Sequence, residues 1–291
     1  GPVFTHGLEH AAEALGVPYA HADWSASNLP ALVEKFRPDL IFVVHGRKFS
    51  QRWRATFAST YQTAIWLLDE PYEVDDTARF SPLFTNVFLN DPSTLHRHPR
   101  TTYLPVCYDP KTHHPGTDPR PHDVGFIGGG NGNRDRHLAA LAKAGVLSYV
   151  IGGSWSDPGV NQLCRARNVE PLITATWYRT TKIIVNVFRE QHHYNAQKIQ
   201  AMACNPRIYE ATACGALVVS EWRPEIESLV PEMPTFRSIP ECVELIQGLL
   251  ADPQRAEAIR VTVAQNLASH TYADRLSTVL KVTCGYQAEA A

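Results

Sequence analysis

The sequence lacks several features that would assign it to whole classes of protein. It has no run of about 18 apolar residues, the minimum length for a membrane-spanning helix, and no basic and apolar leader of the kind that directs secretion. Its six cysteines form no Cys-x-x-Cys pair, so neither a zinc knuckle nor a dense disulfide framework is indicated. We therefore expect free thiols, no membrane span and a cytoplasmic protein.

The sequence also has little net charge and lacks the common cofactor-binding motifs. The formal net charge is −2, which gives no general attraction to nucleic acids or anionic membranes. Neither Gly-x-Gly-x-x-Gly nor a Gly-Lys-Ser/Thr ending occurs, which disfavours nicotinamide cofactors and ATP hydrolysis. The 13 histidines include adjacent pairs at 113–114 and 192–193, whose side chains diverge, and no convincing Glu or Cys ligand set accompanies them. We predict no metal site and no required cofactor.

What the sequence does contain is an alternation of helical and strand patterns. Its 291 residues, 44% of them hydrophobic, suffice for about two domains. Short apolar strands with amphipathic helices between them are predicted at 40–44, 64–68, 87–89, 102–104, 123–127, 148–151, 183–187 and 216–219. This order predicts an α/β protein with two Rossmann-like domains, each built on a parallel sheet.

A proline-rich segment separates the two halves. Residues 105–121 contain five prolines, a composition typical of a linker. We predict an N-terminal domain at 1–115, a C-terminal domain at 116–270, and a C-terminal helix at 271–291 that can pack back on the first domain. The chain enters its first predicted helix almost at once, which leaves open whether a strand of the first domain precedes it.

Two predictions concern the middle of the second half. Residues 159–167 carry a helical pattern, and residues 171–173 read as a short extended segment. Three amphipathic helices are predicted after residue 238, over 239–250, 254–267 and 272–283.

Polar residues follow the predicted strands of the first half. His45 follows the strand at 40–44, and Asp69 follows the strand at 64–68. The carboxyl ends of parallel strands meet at one edge, where α/β proteins bind ligands. Histidines and carboxylates are the usual acid–base groups of enzymes. We therefore name Asp69, His45 and His6 as candidate catalytic residues; the alternative is that each is an ordinary residue of the rim.

A glycine-rich loop opens the second half. Gly128, Gly129 and Gly130 lie between the strand at 123–127 and a predicted helix that carries Arg134 in its first turn. Backbone amides and a helix N-terminus that converge on one point attract anions. The loop is therefore a candidate diphosphate site, with a flexible turn as the alternative.

The stretch NPRIYEATACGALVVS, residues 205–220, predicts a helix that ends at Gly215 and passes into a buried strand. Glu210 lies on the last turns of this helix, where a carboxylate can hold the sugar of a nucleotide; a plain helix with a solvated Glu210 is the alternative. Asn186 and Arg189 lie at or just after the end of the strand at 183–187, and we name them with Arg207 as candidate nucleotide-binding residues. Arg189, Arg207 and Lys198 could project toward the same rim, where the planar fork of arginine suits phosphate; for Lys198 an ordinary surface position is the favoured interpretation.

A basic run also occurs in the first half. Residues 47–54 carry three arginines and a lysine interleaved with Phe49 and Trp53. This combination could contact an acidic or nucleic-acid acceptor, and a solvated helix face is the other interpretation.

Several of these segments together resemble a known family. DVGFIGGGNGNRDRHLAAL, IIVNVFRE, NPRIYEATACGALVVSE and the final helices resemble the second domain of two-domain glycosyltransferases of the GT-B fold. WLLDEPYE and the hinge LPVCYDPKTHHP are similar to the group typified by the spore maturation protein CgeB. The resemblance implies two domains that face each other across a cleft.

The resemblance also implies a function. It implies metal-independent transfer of a sugar from a nucleotide-sugar donor, favouring a UDP-sugar, to an acceptor hydroxyl, with Glu210 on the ribose and with Arg134 and Arg207 on the diphosphate. The absence of Asp-x-Asp fits this picture. Many retaining relatives have a glutamate where this chain has Met202, so the stereochemical outcome stays open. A nucleotide-sugar epimerase, a non-catalytic nucleotide-sugar-binding protein, and a modified DNA base as acceptor also stay open.

Overall fold

Two parallel β-sheets form the framework of the computed structural model, which describes residues 2–49, 51–130, 132–190 and 193–286. The first sheet has the order β1-β2-β3-β4, with strands Leu40–Val44, Gln62–Leu67, Asn86–Leu89 and Thr101–Tyr103. Strands β5 to β10 are His122–Ile127, Leu147–Ile151, Cys164–Ala166, Thr181–Asn186, Leu217–Glu221 and Thr235–Phe236, and they form a second sheet with the order β10-β9-β8-β5-β6-β7.

Helices connect the strands and cover the faces of both sheets. Helices α1 to α4 are Pro2–Ala14, Leu29–Phe36, Gln51–Ala58 and Val74–Phe80. Helices α5 to α12 are Gly132–Lys143, Pro158–Gln162, Pro171–Arg179, Pro206–Ala213, Pro224–Leu229, Ile239–Ala251, Pro253–Leu267 and Tyr272–Cys284. Helices α6 to α9 and α11 each begin at a proline, because the missing N–H has no partner within the first turn of a helix. None of the described helices combines the length and the apolar character that crossing a membrane requires.

Each sheet is buried on both faces, as expected of parallel strands covered by helices. In the first sheet, Trp66 and Phe88 face one core, while Ile65 and Leu89 face the other. The second sheet follows the same alternation, since Ile184 packs on one side and Val185 on the other. The prediction of two Rossmann-like α/β domains is confirmed.

The C-terminal helix α12 packs on the first sheet. Thr271 caps it in a capping box with Asp274, and Tyr272 packs against Gly7 of α1, where an added Cβ would collide with the ring. Leu276 and Val279 then join the core around Trp66. The chain therefore ends by returning to the domain in which it began.

Two predictions from the sequence are wrong. Residues 171–173 are not extended but begin α7, and Leu172 is 66% exposed rather than buried as in an internal strand. The helix predicted over 159–167 ends at Gln162, after which β7 forms an edge strand beside β6. Both segments are short, and periodicity alone separates helix from strand poorly at such lengths.

Buried polar contacts join the two domains. Asp91, after β3, accepts hydrogen bonds from the backbone N–H groups of Met202 and Ala203 at 2.8 and 2.9 Å. Glu225, at the start of α9, accepts hydrogen bonds from the Tyr103 hydroxyl and from the backbone N–H of Cys204. Burial raises the pKa of Glu225 to about 7.

We expect Glu225 to make the free energy of unfolding depend on pH. Because its pKa is higher in the folded chain, its contribution is fully present below the ordinary glutamate pKa and is lost as the pH rises through about 7. A shift of this size corresponds to roughly 3 kcal/mol. In Glu225→Gln, which cannot ionise, the loss of stability between about pH 4.5 and 8 should be smaller by about that amount. Urea denaturation of both proteins measures the difference, and an identical pH dependence would contradict it.

Candidate functional site

A cleft of about 390 Å³ lies where the carboxyl ends of the two sheets face each other. Leu68, Asp69 and Asn90 follow strands β2 and β3, and Phe188 and Arg189 follow β8, which is the position where α/β sheets bind ligands. Of the predicted site residues, five line the cleft: Asp69, Arg134, Arg189, Arg207 and Glu210.

The glycine loop is next to the cleft along the chain, but Gly128, Gly129 and Gly130 are not among the residues that line it. It follows Ile127, which lines the cleft, and Asn131 within it lies outside the described residues. Gly128 has a φ of 154°, and an added Cβ would collide with the guanidinium of Arg207. A Cβ on Gly130 would meet the carbonyl oxygen of Ser154. Glycine is therefore required at both positions by the close approach of neighbouring groups.

Arg134 and Arg207 make this end of the cleft cationic. Arg134 donates to the carbonyl oxygens of Val187 and Gly129, at 2.9 and 2.7 Å. Burial, together with the nearby positive charges of Arg207 and Arg189, lowers its pKa to about 9. A desolvated guanidinium whose pKa is lowered by neighbouring positive charges favours an anion beside it.

Asn186 holds Arg207 in place. It is fully buried, and its Oδ1 accepts hydrogen bonds from Arg207 Nη1 at 2.5 Å and from Asn205 Nδ2 at 2.9 Å. Its own amide donates to Ser220 Oγ at 2.9 Å. Asn186 therefore does not face the cleft, contrary to the expectation from the sequence, and it acts on the site through Arg207.

Glu210 supplies a buried carboxylate on the same wall. It lies on α8 and is 7% exposed, and from the described residues it accepts one long hydrogen bond, 3.5 Å, from the Tyr178 hydroxyl. Burial raises its pKa, and the charges of His113 and Arg207 oppose that shift. A carboxylate with a single weak donor keeps lone pairs for ligand hydroxyls.

Asp69 faces this wall from the first domain. It forms an ion pair with Arg189, which also stacks over the Tyr72 ring at 4.2 Å. The pair crosses from one domain to the other, and both side chains are about one-third exposed, at 37% and 31%. Glu70 turns away, since its carboxylate accepts from Thr77 and lies 3.4 Å from His98.

The two remaining catalytic candidates lie in different places. His45 lies 3.7 Å from Asp69, measured from Nδ1 to Oδ2, and both residues line a larger cavity of about 1550 Å³ beside β1. This cavity shares Leu68, Asp69, Val106 and Pro206 with the cleft. His6 is exposed on α1 and lines neither cavity, so the structure does not bring it to the site.

Several polar residues that line the cleft were not named as site residues from the sequence, among them Arg223, Asn205 and Tyr178. Arg223 donates to the Tyr72 hydroxyl at 2.7 Å and stacks over Phe188 at 3.8 Å. Asn205 has a buried Oδ1 with no hydrogen-bond partner among the described residues. Tyr178 lies on α7, of which the first three residues were predicted to be extended and the rest was not assigned. Arg223 could have been predicted from the sequence, because it follows a strand, β9, just as Asp69 follows β2.

The basic run of the first domain is largely occupied by internal contacts. Arg47 pairs with Glu73 at 2.6 Å and with Asp76 at 2.9 Å. Arg54 is buried and donates to the carbonyl oxygens of Gly46 and Arg47. Lys48 and Arg52 are exposed, so only half of the predicted basic surface is available to an acidic partner.

Comparison with known proteins extends these observations. No curated protein matches the chain. Its solved structural relatives include a sucrose-phosphate synthase from Thermosynechococcus elongatus, with a TM-score of 0.63 and 16% identity over 87% of this chain and 75% of that one. An alpha,alpha-trehalose 6-phosphate synthase from Burkholderia multivorans has a TM-score of 0.56 and 10% identity over 97% and 76%. An alpha-glucosyltransferase in complex with UDP-glucose and DNA containing an abasic site has a TM-score of 0.57 and 11% identity over 84% and 80%.

These likenesses concern the fold, which is that of GT-B glycosyltransferases. The sequence itself gives the family, because the model of the glycosyl transferase-like family matches residues 134–281, just over half of the chain. That stretch includes Arg134, Arg207 and Glu210. This chain belongs to the glycosyl transferase-like family.

Proposed function

We propose that this chain transfers a sugar from a nucleotide-sugar donor, preferably a UDP-sugar, to an acceptor hydroxyl. The observation that carries the proposal is the arrangement of one cleft wall. Arg134 and Arg207 lie near the glycine loop. Glu210 lies beside them, and its carboxylate accepts only a long hydrogen bond from the described residues. A diphosphate and a ribose need this pair of features side by side.

In this proposal the diphosphate is held without a divalent ion. The charges of Arg189 and Arg207 lie close enough to Arg134 to lower its pKa. The backbone N–H groups of Gly129 and Gly130 add donors, whereas that of Gly128 is bonded to the carbonyl oxygen of Ile151. Preorganised charges of this kind stabilise a leaving diphosphate in a water-poor site.

The acceptor enters from the first domain. The larger cavity beside β1 meets the cleft at Asp69, which supports a position for this carboxylate between an acceptor side and a donor side. We assign Asp69 the role of general base toward the acceptor hydroxyl, with His45 beside it. If the reaction retains configuration, the same residues orient the acceptor instead.

The finer assignments belong to this proposal too. The segment WLLDEPYE, around Asp69, favours the CgeB-like group within the family. A modified DNA base is the second acceptor class: a structural relative was solved with UDP-glucose and DNA, whereas the exposed basic surface of this chain is small. DNA binding that weakens with salt would support that acceptor.

Donor binding and turnover test the proposal together. We expect UDP and UDP-sugars to raise the melting temperature in the presence of EDTA, because a ligand of the folded state stabilises it by mass action. ADP serves as the matched control for the base. Conversion of a UDP-sugar with no acceptor present would indicate an epimerase. Affinity without turnover toward any acceptor would indicate a binding protein, and no thermal shift with any nucleotide would refute the proposal.

A further inference from the structure

Three potential ligand groups meet at the rim of the first domain, outside the diphosphate end of the cleft. His45 follows β1, Asp69 follows β2 and Glu73 precedes α4. One nitrogen of His45 and one oxygen from each carboxylate all lie within 4.8 Å of one another. His45 has a φ of 66°, a left-handed conformation that is uncommon for residues with a side chain.

The carboxylates are held so that one oxygen of each faces His45. Arg189 binds Oδ1 of Asp69, and Arg47 binds Oε1 of Glu73 at 2.6 Å. The second oxygen of Asp69, Oδ2, lies 3.7 Å from Nδ1 of His45, and that of Glu73, Oε2, lies 3.8 Å from Nε2 of the same ring. Both distances are too long for a hydrogen bond. Carboxylate ligands of metals are commonly oriented in this way by donors on their outer oxygens.

Glu73 supplies an independent observation. Its side chain is only 9% exposed, and its Oε2 is buried with no hydrogen-bond partner among the described residues. A buried carboxylate oxygen without a donor is costly and requires an explanation. The oxygen faces His45, so the missing partner belongs between them.

Contrary to the prediction of no metal site from the sequence, we infer that His45, Asp69 and Glu73 bind a divalent transition-metal ion such as Zn²⁺ or Mn²⁺. One imidazole and two carboxylates form a ligand set for these ions, whereas Mg²⁺ and Ca²⁺ prefer oxygen ligands alone. An inward movement of about 1 Å by the three groups would give bonds of roughly 2.1 Å.

The surrounding charge permits such an ion. Asp69, Glu73 and Asp76 carry three negative charges, and Arg47 and Arg189 carry two positive charges. With the ion bound, Asp69 and His45 would be its ligands rather than free bases, and the ion itself would orient and polarise an acceptor hydroxyl. That catalytic role rests on the proposed function, while binding of the ion does not, and the diphosphate still needs no metal.

Cobalt binding tests the site, because Co²⁺ substitutes for Zn²⁺ and its visible spectrum reports nitrogen and oxygen ligands. We expect protein stripped with EDTA to bind one Co²⁺, which Zn²⁺ displaces. His45→Asn, chosen because asparagine tolerates the left-handed backbone, and Glu73→Gln should each weaken binding at least about tenfold. His96→Ala, which removes an exposed histidine of the same domain, should leave binding unchanged.

Equal Co²⁺ affinity of His45→Asn and the unmodified protein would overturn the inference, as would the absence of stoichiometric binding. UDP-induced thermal stabilisation in EDTA separates this result from the proposed function. If UDP stabilises the stripped protein and Co²⁺ does not bind, the metal site is wrong and the donor site stands. If Co²⁺ binds and no nucleotide stabilises the protein, the metal site stands and the proposed donor site is wrong. The same UDP response in both variants shows that they fold.

Discussion

Asp69→Asn is expected to lower sugar transfer by about 10²- to 10⁴-fold, the usual contribution of a positioned acid–base group. Asparagine has nearly the same shape and keeps an oxygen for the hydrogen bond from Arg189, but it cannot take a proton from an acceptor hydroxyl. The donor is held by the opposite wall, so the dissociation constant for UDP should change little. Steady-state kinetics and calorimetric titration with UDP measure the two quantities separately.

The ion pair of Asp69 with Arg189 requires a matched control. Asp123→Asn removes a carboxylate whose contact with Lys182, at 2.6 Å, is exposed, and such pairs contribute little. This variant should keep both turnover and UDP affinity. Undiminished turnover in Asp69→Asn would remove Asp69 from the mechanism, and a parallel loss of UDP affinity would assign it to the donor site.

Glu210→Gln is expected to weaken binding of UDP by about 10- to 100-fold. A hydrogen bond to a charged group contributes about 1.5–3 kcal/mol, and about 1.4 kcal/mol changes a dissociation constant tenfold. Glutamine keeps one acceptor oxygen but loses the charge. Calorimetric titration with UDP is the measurement, and Glu257→Gln, an exposed carboxylate on α11 paired with Arg260, is the control.

The same substitution should not destabilise the unliganded protein. Burial raises the pKa of Glu210, so the stability associated with its protonated form is present below the ordinary glutamate pKa and is lost as the pH rises through the raised value. Above that pH, glutamine removes a buried charge, and the melting temperature should stay level or increase. Loss of UDP affinity together with a higher melting temperature would identify Glu210 as a binding group. Unchanged UDP affinity would contradict its assignment.

The sequence predicted most of the framework because its signals are local. Apolar β-branched runs predicted eight of the ten strands formed by the described residues, all but the edge strands β7 and β10, and Gly215 marked the end of a helix before a buried strand. Sheet topology then carried His45 and Asp69 to one rim, since the carboxyl ends of parallel strands lie together. The two errors, at 159–167 and 171–173, fall where an edge strand and a helix are too short for periodicity to distinguish.

Much of the candidate site could not be predicted, because it depends on which side chains meet across the chain. Asn186 was expected on the rim, but its side chain is hydrogen-bonded to Arg207 and Ser220 inside the second domain. Arg54 looked like part of a basic surface, yet it is buried against backbone carbonyls. His6 was separated from Asp69 by its place on α1. These outcomes follow from packing between distant segments, which no local pattern encodes.

The position of Met202 illustrates the same limit. The missing glutamate suggested an altered donor contact, and the structure shows that this segment is tied to the first domain instead. Its backbone N–H donates to Asp91 at 2.8 Å, and its carbonyl accepts from Glu225 at 3.1 Å. Asp91 also lines the cleft, so a carboxylate of the first domain is present near the place where the second domain lacks one.

A crystal structure of the protein with UDP tests the central claim most directly. We expect the diphosphate to lie within hydrogen-bonding distance of Arg134 or Arg207 and of the loop at Gly128–Gly130, and the ribose hydroxyls to bind Glu210. UDP bound elsewhere on the chain, or bound in this cleft with its ribose remote from Glu210, would contradict the account.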